Sequence, residues 1–129
     1  MEKMIHCTYT DDTLVTIQTS EVNDVLHTAH DASGRYVTPA DMLVAALGAC
    51  TLTMIGAVAQ KYKQSMDNLQ IQLKPVFAAD LSGLTSVEIQ ISFPPDTPEE
   101  LRKRLLEAAQ KCPVHRSLNP AISYTITSN

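Results

Sequence analysis

Three cysteines, Cys7, Cys50 and Cys112, are the residues of this chain best suited to chemistry. A thiol that loses its proton becomes a nucleophile, and its sulfur can pass reversibly through sulfenic acid and disulfide states. The amino end, Met1-Glu2-Lys3-Met4-Ile5-His6-Cys7, lacks the long apolar segment of a signal peptide. An odd number of cysteines in such a chain argues against a structural disulfide framework and for free or redox-active thiols in a cytoplasmic protein. No CxxC pair or Cys/His zinc spacing is present.

Cys50 lies in Ala45-Ala46-Leu47-Gly48-Ala49-Cys50-Thr51, where the small residues let another backbone approach closely. Taken alone it reads as a small buried hydrophobe, whose thiol an apolar setting keeps protonated and inert. Cys112 has a different context, at the expected end of a helix, before Pro113 and near Lys111, His115 and Arg116. The helix dipole there opposes a thiolate and the basic neighbours favour one, which suits a thiol that resolves an oxidised cysteine rather than one that attacks first. Cys7, beside His6, has no comparable setting. His27, His30 and Asp31 have a spacing that would allow a metal site, but in a strand-to-loop segment such residues more often serve turns and surfaces.

The elements that must position the thiols follow from local signals. Thr38-Pro39-Ala40-Asp41 places a hydroxyl at an N-cap, proline at the first helical position and a carboxylate three residues after the cap. The helix it starts should run to about Lys63 with Cys50 in its middle, and Asp41 reads first as a capping acid. Its central turns, Met42 to Ala59, are apolar on nearly every face. They touch the lower length limit for a membrane span, yet Gly, Thr and Cys interrupt them and no basic flank or aromatic belt frames them, so a buried core helix is expected. One small domain can hardly enclose such a helix; a second subunit would, and a homodimer is therefore expected.

Residues 4–9, 13–18 and 23–28 show strand composition, with Asp11-Asp12 and residues 21–24 as turns, and read as an antiparallel meander. Residues 29–37, with Gly34, form a loop. Leu69, Ile71 and Leu73 alternate with polar residues, as do Val87, Ile89, Ile91 and Phe93, giving two half-buried strands joined by a hairpin at 78–83. Thr97-Pro98-Glu99-Glu100 repeats the cap pattern for a second helix from Pro98 to about Lys111, which Pro113 stops. Ile122, Tyr124 and Ile126 make a last strand. The order is βββ-α-ββ-α-β, an α+β fold in one domain over residues 1–129.

The bulk numbers narrow the function. With 44% hydrophobic and 19% charged residues the chain belongs with folded globular proteins rather than disordered ones. A net charge of −4 with ten basic residues provides no footprint for nucleic acid.

The segment Thr38 to Thr51 (TPADMLVAALGACT), followed about sixty residues later by Lys111-Cys112-Pro113-Val114-His115-Arg116-Ser117-Leu118, resembles the two cysteine motifs of the OsmC/Ohr family, and looks most like its general OsmC-like branch. The element order agrees over nearly the whole chain. The resemblance implies an intertwined homodimer with two active sites at its interface, and thiol-based reduction of organic hydroperoxides without metal or organic cofactor. It implies that Cys50 attacks the peroxide, that Cys112 resolves the sulfenic acid to a disulfide, and that an external dithiol reduces the disulfide. Family peroxidases hold the thiolate with an arginine from the amino-terminal strands paired with a carboxylate near the start of the central helix. Asp41 matches the carboxylate, but no arginine precedes Arg35, which lies in the loop before the helix and is the candidate substitute. This departure keeps open a noncatalytic protein that binds a small apolar ligand, or a redox sensor.

Overall fold

A computed structural model describes residues 2–10, 13–30 and 34–129. Asp11, Asp12 and Asp31, for which the sequence suggests turn and metal roles, lie outside the described residues. The elements are β1 (Ile5–Tyr9), β2 (Leu14–Thr19), β3 (Val22–Ala29), α1 (Pro39–Lys61), β4 (Gln70–Phe77), β5 (Leu84–Ser92), α2 (Glu99–Ala109), α3 (Pro113–Ser117) and β6 (Ser123–Ser128). The order of strands and long helices is the one expected, but the turn expected at residues 21–24 falls at Ser20 and Glu21, so that β3 starts at Val22, and the single-turn α3 is an addition. Packing divides the chain into residues 1–43 and 44–129.

In the first unit β1, β2 and β3 form an antiparallel meander in that order, with Cys7 opposite Ile17 and Thr16 opposite His27. Apolar residues along it remain open: Met4, Ile5, Tyr9, Val22, Val25 and Leu26 are all exposed. The following loop closes back on β3, where the Ala29 N–H and the Thr28 hydroxyl both donate to the Val37 carbonyl, at 3.2 and 2.5 Å. Helix α1 then opens as its sequence dictates, for Thr38 Oγ1 accepts from the Asp41 N–H at 3.1 Å.

In the second unit β4 and β5 pair antiparallel and β6 joins β5 in parallel. The parallel pairing follows from α2 and α3, which carry the chain back across the sheet between β5 and β6. Pro75 is tolerated because β4 is an edge strand of this three-stranded sheet. One row of side chains meets the helices: Ile91, Ile89 and Val87 of β5 are buried with Leu47, Ile55 and Ala59 of α1 and Leu101, Leu105 and Ala109 of α2. Gly48 lets the sheet come close, since a Cβ at that position would lie 2.7 Å from Leu73 Cδ1. Leu105 is completely enclosed in this cluster, so Leu105→Ala should cost about 2–5 kcal/mol in a urea melt.

The capping expectation for α2 is corrected. Helix α2 is not capped by Thr97; Pro98 is its N-cap without a side-chain hydrogen bond, and the Thr97 hydroxyl is buried without a partner. A turn explains this, because the Thr97 N–H bonds back to Pro94 and leaves the Pro98 carbonyl to accept the first helical bond, from Arg102. Helix α1, in line with the expectation that one small domain can hardly enclose it, is not buried all round within one chain. Its buried residues Val44, Leu47, Gly48, Thr51, Ile55 and Ala59 form one stripe, while Ala45, Ala46, Ala49, Thr53 and Ala57 are exposed. By length and composition α1 would also suffice to cross a membrane, a property shared by core helices of soluble proteins.

Candidate functional site

The second unit brings Cys50 and Cys112 together. Cys50, on the middle of α1, is half-buried and packs against the core cluster that contains Cys112, which is fully enclosed. Both are free thiols, close enough that Cys112 feels charge on Cys50. The difference in exposure separates them chemically, since a bulky oxidant needs access to the sulfur it meets.

The surroundings of Cys112 differ from the sequence expectation. Helix α2 ends at Ala109, and Cys112 is the N-cap of α3, its sulfur accepting from the His115 N–H at 3.2 Å. The proline read as a stop for α2 occupies the first position of the next helix, where its missing N–H costs nothing. Instead of facing the carbonyl end of a helix, the sulfur receives a backbone donor. Burial nevertheless dominates and pushes the Cys112 thiol up from its ordinary value. The His115 N–H opposes that rise, the neighbouring Cys50 thiol adds to it, and the Thr51 hydroxyl opposes it weakly.

Two residues that sequence reasoning does not single out complete this environment. Thr51 follows Cys50 and faces the core, with its hydroxyl donating to the Leu47 carbonyl at 2.8 Å. Tyr124 stands on β6 with its ring against His115, centroids 4.2 Å apart, and feels charge on Cys112. The signal for Tyr124 is its place in the apolar alternation of Ile122, Tyr124 and Ile126, which brings a hydroxyl onto a core-facing row.

The other assigned residues belong to the first unit. Arg35 holds its guanidinium 5.7 Å from the centre of the Tyr36 ring, which in turn meets His27 at 6.0 Å. Asp41 is exposed in the first turn of α1. The helix runs unbroken from Asp41 to Cys50, nine residues that span roughly 13–14 Å of axis, beyond the reach of a carboxylate on the same helix. Cys7 is exposed on β1. Among the described residues no three His, Cys, Asp or Glu side chains gather as a metal site. A groove of about 480 Å³ crosses β4, β5 and β6 between Gln72, Lys74, Glu88, Gln90, Thr125 and Thr127, and touches neither member of the thiol pair.

Comparison with known proteins gives a consistent picture. The sequence pattern of the family described as OsmC-like protein matches residues 29–127. No functionally curated protein sequence matches the chain. A crystal structure from Psychrobacter arcticus, described as a putative osmotic stress induced and detoxification response protein, superposes with a TM-score of 0.90 at 25% identity, covering 97% of this chain and 94% of that one. An OsmC-like protein from Mycoplasma pneumoniae matches at 0.85 and 14% identity, over 100% and 96%. The organic hydroperoxide resistance protein OhrB of Bacillus subtilis matches at 0.68 and 14% identity, over 100% and 98%.

Proposed function

Because the chain belongs to the OsmC-like protein family, we propose that it is a cysteine-based peroxidase that reduces organic hydroperoxides. The observation that carries this reading is the pairing of a half-buried thiol, Cys50, with a fully buried one, Cys112, in one apolar cluster. Organic hydroperoxide resistance among structurally similar proteins supports it. The Cys50 thiolate attacks one peroxide oxygen; the S–O bond forms, the O–O bond breaks, and the alkoxide takes a proton to leave as an alcohol. The Cys112 sulfur, after losing its proton, then attacks the sulfenic sulfur of Cys50. The S–S bond forms, the S–O bond breaks, and hydroxide leaves as water after taking a proton. An external dithiol exchanges with the disulfide, becoming oxidised and restoring both thiols.

The working unit in this reading is a cytoplasmic homodimer. A second copy would cover the small uncharged face of α1 at Ala46, Ala49, Thr53 and Ala57, and the open apolar residues of the meander. Asp41 cannot reach Cys50 along its own helix, so any support that it gives the thiol comes from the partner subunit, and in this reading Arg35 accompanies it. A second reading, a protein that binds a small apolar ligand or senses oxidation, is favoured by the lack of any arginine before Arg35.

The deciding experiment mixes reduced protein with cumene hydroperoxide, a lipid hydroperoxide or hydrogen peroxide in the presence of a dithiol, and follows thiol loss and peroxide consumption. Catalytic consumption of the organic peroxides, fastest for the more apolar ones, is expected. Disulfide formation should accelerate as pH rises, because burial keeps Cys112 protonated at neutral pH. Stoichiometric oxidation without turnover would favour the sensor, and no thiol loss the binding protein.

A further inference from the structure

Tyr124 pairs with Val87 of β5 and belongs, with Ile126, to the covered row of β6. Its ring rests on that of His115, whose backbone N–H holds the Cys112 sulfur. The phenol oxygen is sealed from solvent and has no hydrogen-bond partner. An orphaned buried hydroxyl is costly and calls for an explanation. Thr19 and Thr97 also carry one among the described residues, but of the three only Tyr124 packs on His115, the residue that holds the Cys112 sulfur. Burial first, and then charge on Cys112, hold Tyr124 above its ordinary value, so the phenol keeps its proton and remains a donor.

How strongly the sulfur draws that donor depends on its charge. A protonated thiol is a weak acceptor, whereas a thiolate is a strong one, and a charge-assisted bond gains strength where water is excluded. We propose that Tyr124 donates a hydrogen bond to the Cys112 sulfur whenever that sulfur is charged, and so sets how readily Cys112 can resolve an oxidised Cys50. The groups that act on Cys112 are Cys50 and Thr51 from α1 and the His115 N–H from α3, and Tyr124 on β6 feels its charge. Before resolution, Cys112 gives its proton to solvent, and the Tyr124 donor stabilises the negative charge left on the sulfur. As the S–S bond forms that charge leaves the sulfur, and the phenol is released again. Its meaning for catalysis rests on Cys112 being the resolving thiol, but the hydrogen bond can be measured without turnover.

The test uses the full chain with Cys7→Ser and Cys50→Ser, so that Cys112 is its single thiol. Its [13Cβ]cysteine resonance is titrated by NMR with and without Tyr124→Phe, which keeps the ring against His115. Loss of the donor should raise the Cys112 midpoint by about one pH unit or more. Biosynthetic replacement of tyrosine by 3-fluorotyrosine, a stronger donor of nearly the same shape, should lower it, and this arm does not depend on the phenylalanine variant folding. A midpoint unmoved by fluorination, or one that stays or falls with Tyr124→Phe, overturns the proposal. If the midpoints move as stated while wild-type protein consumes no peroxide, the donor role stands and the peroxidase reading fails. Peroxide turnover with unmoved midpoints means the opposite: the peroxidase reading stands and the donor role fails.

Discussion

Cys50→Ser should lose peroxide turnover by several orders of magnitude, down to the uncatalysed rate, while its fold and melting behaviour stay near wild type. The hydroxyl matches the thiol in shape but is a far weaker nucleophile at neutral pH, and removing the group that forms the covalent intermediate removes the whole sequence of steps. Cys50 is half-buried, so the exchange leaves no large cavity. Cys112→Ser should behave differently: one oxidation event per chain, a sulfenic acid trapped on Cys50, and no intramolecular disulfide. Peptide mapping after one equivalent of cumene hydroperoxide distinguishes the two. Oxidation of Cys7 with Cys50 untouched would refute the assignment.

Ala57→Glu should weaken the dimer strongly without disturbing helix α1 itself. Ala57 is exposed on the uncharged side of α1, and glutamate is a good helix former there, so the helix itself has little to lose. In a dimer that buries this side, an unpaired carboxylate would lose its water, a penalty of several kcal/mol. The dissociation constant should rise about a hundredfold or more, each factor of ten corresponding to about 1.4 kcal/mol. Sedimentation at micromolar concentration reads the result directly. A wild-type chain that sediments as a stable monomer would contradict the expectation, since an obligate interface of more than about 2,000 Å² should not open at that dilution. Mixed dimers extend the test to the support residues: combining Cys50→Ser with Arg35→Ala should regenerate activity if Arg35 acts across the interface. Full turnover by Arg35→Ala alone would remove it from the site.

Element type and order were legible because they are local. The hydroxyl, proline and acid at Thr38 to Asp41 start α1 by satisfying its first N–H groups, and Thr38 does accept from Asp41. The alternation of Ile71 and Leu73 with Gln70 and Gln72 marks a half-buried strand whichever neighbour it finds. The same local grammar misled at Thr97, where a turn to Pro94 takes the threonine backbone away from the cap. At Pro113 it was ambiguous in kind, because a proline that ends one helix is equally suited to begin another.

By itself, then, the sequence determined the α+β element order and the OsmC-like family membership, and it marked Cys50 and Cys112 as the residues to watch. Tertiary structure alone decided that β6 runs parallel to β5, that the two thiols are neighbours with unequal access, and that Tyr124 and Thr51 join them. It also reversed the local electrostatics of Cys112, from the carbonyl end of one helix to the N-cap of the next. The reason is one of range: caps and periodicity act within a few residues, whereas desolvation and thiol charge are set by groups brought together from α1, α3 and β6 only when the core closes.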